Sequence, residues 1–116
     1  MNKFCLLAYL NDWLISAQLV KLSTNHSYEL KFYEDGLEII TNNSNVILII
    51  NIDEMSNDKF EKIKNQFNIK FILGYIIDFD KSKLSHYRSI GYDMVISYQN
   101  LLKNLDSIIK QITHAN

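Results

Sequence analysis

Proline is missing from this sequence altogether, glycine stands only at Gly36, Gly74 and Gly91, and Cys5 is the lone cysteine. Without a Pro-, Gly- or Ser-rich stretch the chain offers no linker, so its 116 residues are expected to form one domain, 1–116. A single cysteine excludes an intrachain disulfide, and its place in the apolar stretch Phe4 to Ala8 makes core filling its expected role. None of the three glycines sits in a glycine-rich turn, so no phosphate-cradling loop can be read. A basic excess is lacking too: 12 Lys and Arg against 13 Asp and Glu leave a formal charge of -1, which argues against nucleic acid as a partner. His26, His86 and His114 lie too far apart to pair as metal ligands on one helix face and are expected at the surface. The apolar run Val46 to Ile50 is far below membrane-spanning length, and Met1 to Cys5 carries no signal-peptide cleavage pattern. The expectation is a cytoplasmic protein with no membrane partner.

What is present is a regular alternation. Lys3 to Leu10 and Val46 to Ile52 are apolar runs of the kind found in strands buried on both faces. Tyr28 to Tyr33 alternates, with Tyr28, Leu30 and Phe32 on one side, and Phe71 to Ile77 and Met94 to Ser97 complete five strands. Asp12 to Leu22 places Ile15, Leu19 and Leu22 at helical spacing, and Ser56 can cap a helix carrying Phe60, Ile63, Lys64 and Phe67. Leu101, Leu102, Leu105, Ile108, Ile109 and Ile112 form the apolar stripe of a docked C-terminal helix. Shorter helices fit Gly36 to Thr41 and Lys81 to Ile90, with a polar loop at Thr41 to Asn45. Strand and helix in turn predict an α/β three-layer sandwich of the flavodoxin-like kind, its five-stranded parallel sheet ordered 2-1-3-4-5. Leu6, Ala8, Leu48, Ile50, Ile72, Val95, Leu105 and Ile109 are its expected core.

Three segments in this order carry a family resemblance. Glu34-Asp35-Gly36-Leu37-Glu38-Ile39-Ile40 follows the second strand, Ile47-Leu48-Ile49-Ile50-Asn51 forms the third, and Gly91-Tyr92-Asp93-Met94-Val95-Ile96-Ser97-Tyr98-Gln99 contains the fifth. Together they resemble the response-regulator receiver (CheY-like) domains. Where that family has its phosphate-accepting carboxylate this chain has Asn51, whose amide cannot attack a phosphoryl donor. Its magnesium-holding acidic pair aligns with Tyr9 and Leu10, which offer a hard cation no anionic oxygen. The family's sensing hydroxyl aligns with Gly74, its lysine with Tyr98, the following proline with Gln99 and its switching aromatic with Val95. The resemblance therefore implies a pseudo-receiver: the scaffold without the phosphorelay, no catalysis, no cofactor, and work done by binding.

Two sets of residues remain as candidates. Asp12 and Asp53 follow strands and either rebuild an acidic Mg²⁺ pocket, with Asp53 as a displaced phosphoacceptor, or serve as solvated loop and helix-start carboxylates. Tyr87, Arg88, Tyr92, Asp93, Tyr98, Lys103 and Asp106 lie on the helix near Lys81 to Ile90, the fifth strand and the last helix. In the family resembled this is the signalling and dimerisation face, so a protein partner or a homodimer is expected there. Trp13, in the first turn of the first helix, either covers the sheet edge or belongs to a partner-facing patch. A small flavodoxin-like binder of a nucleotide or flavin phosphate is the reading from another class.

Overall fold

The structure, a computed structural model, describes residues 4–26, 28–34 and 45–114. The expected short helix at Gly36 to Thr41, nearly all of the loop at Thr41 to Asn45 and all but the first residue of the Glu34 to Ile40 segment lie outside them. Five strands, β1 (Cys5–Tyr9), β2 (Glu29–Phe32), β3 (Val46–Asn51), β4 (Ile69–Ile76) and β5 (Met94–Ser97), form one sheet. All pairings are parallel and the order is β2-β1-β3-β4-β5, as the alternation implied. The helices are α1 (Trp13–His26), α2 (Asn57–Gln66), α3 (Leu84–Ile90) and α4 (Tyr98–His114). No helix among the described residues is long and apolar enough to cross a membrane.

The period of two along each strand feeds two cores. On one face Leu6, Ala8, Ile47, Ile49, Leu73 and Tyr75 meet Ile15 and Leu19 of α1 and Leu101, Leu105 and Ile109 of α4. On the other, Cys5, Leu7, Leu48, Ile50, Ile72 and Val95 meet Phe60 and Ile63 of α2 together with Tyr92. All eight residues expected in the core are buried. Phe32 departs from its alternation: Tyr28 and Leu30 pack against the α1–α4 core, but Phe32 is exposed, at the end of an edge strand with a neighbour on one side only.

Local chemistry sets the helix starts. Asp12 Oδ1 accepts from the backbone N–H of Leu14 (2.8 Å) and Ile15 (3.2 Å), and Ser56 Oγ accepts from Lys59 N (3.1 Å). The helical segment at Lys81 to Ile90 opens as a 3₁₀ turn, Lys81–Lys83, with Asp80 accepting from Ser82 N, before α3 proper. Helix α4 starts at Tyr98, ahead of the first residue of its apolar stripe, because Ser97 Oγ caps Asn100 N. It kinks at Asn104 (φ -125°, ψ 22°), whose side-chain amide donates back to Asn100. At the end of α3 Gly91 adopts φ 133°, which a side chain rarely tolerates. There the N–H of Gly91 reaches Arg88 O and that of Tyr92 reaches Tyr87 O, the paired closing bonds of a Schellman motif.

Candidate functional site: the C-terminal edge of the sheet

In a parallel sheet whose order reverses between β1 and β3, the crevice beyond the strand C-termini is where ligands bind. Here it holds an open pocket of about 530 Å³ lined by Tyr9, Leu10, Asn11, Tyr33, Glu34, Glu54 and Lys59. The Tyr9 and Tyr33 rings touch at a centroid distance of 5.6 Å and a tilt of 44°, which leaves no slot between them for a flat ligand. Lys59 Nζ stands 5.6 Å from the Tyr33 ring centre. A second open groove of about 630 Å³ lies where β4 and β5 end, between the stretch Ile77–Asp80 and the start of α4.

Each position that the resemblance aligns with a phosphoacceptor pocket has a packing or hydrogen-bonding role in this structure. Asn51 is buried, and its Oδ1 accepts from Asp53 N (3.1 Å), capping the 3₁₀ turn Ile52–Glu54. Tyr9 packs toward the α2 core and Leu10 toward the α1–α4 core. Gly74 faces Tyr92 and Ile52: a Cβ there would stand 2.7 Å from Ile52 Cδ1 and 2.8 Å from the Tyr92 ring. Tyr98 lies with its ring 5.9 Å from that of Tyr75, and hydrogen bonding to the Asp12 carboxylate holds its phenol above the ordinary value.

Asp12 and Asp53 do reach the same edge. Burial pushes the Tyr75 phenol up, and the negative charges of Asp12, Glu54 and Asp53 push it further. Both carboxylates have structural partners: Asp12 caps α1, and Asp53 Oδ2 accepts from Ile77 N at 3.4 Å. Among the described residues no group of three His, Cys, Asp or Glu side chains is arranged to hold a metal ion.

The expected interaction face divides. Arg88 and Lys103 are exposed and Tyr87 is half-buried against the α2 core. Tyr92 requires a correction: it is 5% exposed, lies flat on Phe60 (centroids 4.6 Å apart, planes 9° apart) and meets the edge of Tyr87. The signal was in the sequence, since the residue after a helix-closing glycine packs back on the last turn. Asp93 uses Oδ2 to accept from Ile72 N (2.8 Å), fixing the start of β5 against β4. Asp106 turns toward α1, where it contacts His26 Nε2 at 3.3 Å, with Lys110 at 3.8 Å.

What the sequence reading missed is the apolar exposure at this edge. Trp13 is 74% exposed and does not cover the sheet, Ile77 is 66% exposed, and Phe79 is exposed beside it. Cys5 and the histidines are placed as expected, buried and exposed respectively. Compared with known proteins, the chain matches no protein-family model, no curated protein and no solved structure.

Proposed function

We propose that this chain is a receiver-like protein–protein interaction module of the cytoplasm that works in signalling or regulation without phosphorylation and without catalysis. The observation that carries the reading is the occupation of the would-be phosphoacceptor pocket by packing and capping. Asn51 caps the turn after β3, and Tyr92 and Ile52 fill the space over Gly74. An amide spent on a cap and a glycine covered by a ring leave no group at these two positions to accept or sense a phosphoryl group, so the outer surface is held in one binding-competent state. The partner surface is built from α3, β5 and α4, with Tyr87 and Arg88 as its anchors and Lys103 at its margin, and it takes a protein partner or a second copy.

Sedimentation and partner capture with Tyr87→Ala and Arg88→Ala test the surface. Each substitution is expected to weaken association by at least about 1 kcal/mol; Arg88→Ala, at an exposed position, should leave the melting temperature nearly unchanged, whereas Tyr87→Ala lowers it as well by removing the packing on Tyr92 and the α2 core. Indifference of association to both substitutions removes α3 as the docking element. A second reading, a small nucleotide or flavin-phosphate binder, draws on the 530 Å³ crevice at the order reversal. A preparation that carries a bound chromophore or nucleotide would favour it, and a colourless, nucleotide-free one would end it.

A further inference from the structure

Resting on the reading of this chain as an interaction module, we propose a second docking surface at the C-terminal edge of the sheet, which takes a cationic apolar segment of a protein partner. The apolar part consists of Trp13, Ile77 and Phe79, among the most exposed large hydrophobic side chains of the described residues. Ile77 and Phe79 wall the 630 Å³ groove together with Tyr98, and Tyr98 reaches across to Asp12, the residue before Trp13. Trp13, which opens α1 just past β1, thus lies at the same end of the sheet as Ile77 and Phe79, just past β4. Exposed apolar side chains clustered beside a groove are the usual mark of a partner site in a globular protein.

Charge decides what kind of partner. Asp12, Asp53, Glu54, Asp78 and Asp80 all follow strands and lie on this same edge, against Lys59 of the neighbouring crevice and Lys81 and Lys83 from the 3₁₀ turn beside it. A nucleic acid or an anionic lipid surface would meet these carboxylates as like charge. Two copies docking by this edge around a two-fold axis would set carboxylates against carboxylates, which is unfavourable. A segment with leucine-like anchors flanked by lysine or arginine satisfies both halves of the surface. The apolar anchors enter the groove beside Ile77 and Phe79, and the cations face Asp53, Asp78 and Asp80.

Trp13 is the single tryptophan and is exposed at this same edge, so a segment that covers the edge is read by its emission. The probes are two synthetic amphipathic peptides of equal length and identical leucine pattern, one with lysine and one with glutamate on the polar face. The lysine peptide is expected to shift Trp13 emission to the blue in a saturable titration, weaken with added salt, and lose at least about ten-fold in affinity on Ile77→Asp. Phe79→Ser should weaken it likewise, both positions being exposed enough to leave folding intact. Tyr87→Ala and Arg88→Ala should leave this titration unchanged, which separates its failure from failure of the α3 surface. Equal binding of the glutamate peptide, binding of neither, indifference to both edge variants, or burial of Trp13 by self-association without peptide would each overturn the proposal.

Discussion

The Tyr92 ring occupies the space above Gly74, so that a Cβ on Gly74 would stand 2.8 Å from two of its ring carbons. Tyr92 is itself fixed by the stack on Phe60 and the edge contact with Tyr87. Gly74→Ser, which adds a Cβ and a hydroxyl inside β4, is therefore expected to destabilise the fold by about 1 to 3 kcal/mol through overpacking. Chemical denaturation should show a smaller loss when the same change is made on a Tyr92→Ala background. An equal loss in both backgrounds would mean the ring is not the obstacle.

Tyr75 is 1% exposed, and its hydroxyl has no hydrogen-bond partner among the described residues. An unpartnered buried hydroxyl is a net liability, so Tyr75→Phe should leave stability equal or raise it by about 1 kcal/mol. A clear loss on the same denaturation curve would show that the hydroxyl is bonded in solution.

Burial, reinforced by Glu29 on the neighbouring strand, raises the Cys5 thiol from its ordinary 9.0 to about 12. The folded state therefore keeps a proton that the unfolded state loses, so this contribution is fully present below pH 9 and declines as pH rises toward 12. Stability should fall by up to about 1.4 kcal/mol per pH unit above that point, and Cys5→Ala should flatten the slope between pH 9 and 10. Above pH 10 the raised phenols of Tyr75 and Tyr92 add to the decline with the same sign. An identical slope with and without the thiol would contradict the assignment.

Leu105 lies 2% exposed on the inner stripe of α4, one turn from Leu101 and Ile109. Leu105→Ala removes that burial and leaves a cavity, at an expected loss of about 2 to 5 kcal/mol. A change below half a kcal/mol, on a scale where core truncations exceed about 2 kcal/mol, would show that α4 is not docked.

The fold was legible because each element carries its own period. The stripe from Leu101 to Ile112 marks α4, the aliphatic run at Val46 marks a strand covered on both faces, and Ser56 caps α2 where its side chain predicts. Edges were less legible, because exposure is set by what neighbouring elements cover. Ile77 and Phe79 follow β4 in sequence with the same apolar character as Ile76, yet they lie past the last strand pairing and stay exposed among the described residues. Tyr92 erred the other way: its place on the signalling face of the family resembled suggested a surface ring, while the turn at Gly91 directs it inward. The carboxylates were placed on the correct edge, and a helix-start role was read for Asp12, but the contact of Asp53 with Ile77 N depends on a backbone position that composition does not reveal.

Intact-mass spectrometry of the chain after incubation with acetyl phosphate and Mg²⁺ tests the central claim most directly. With Asn51 capping a turn and Gly74 covered by Tyr92, the unmodified mass alone is expected, in the parent chain and in Asp53→Asn equally. A stoichiometric phosphoryl adduct that requires Mg²⁺ and disappears in Asp53→Asn would contradict the account and make this chain a receiver that uses a displaced aspartate.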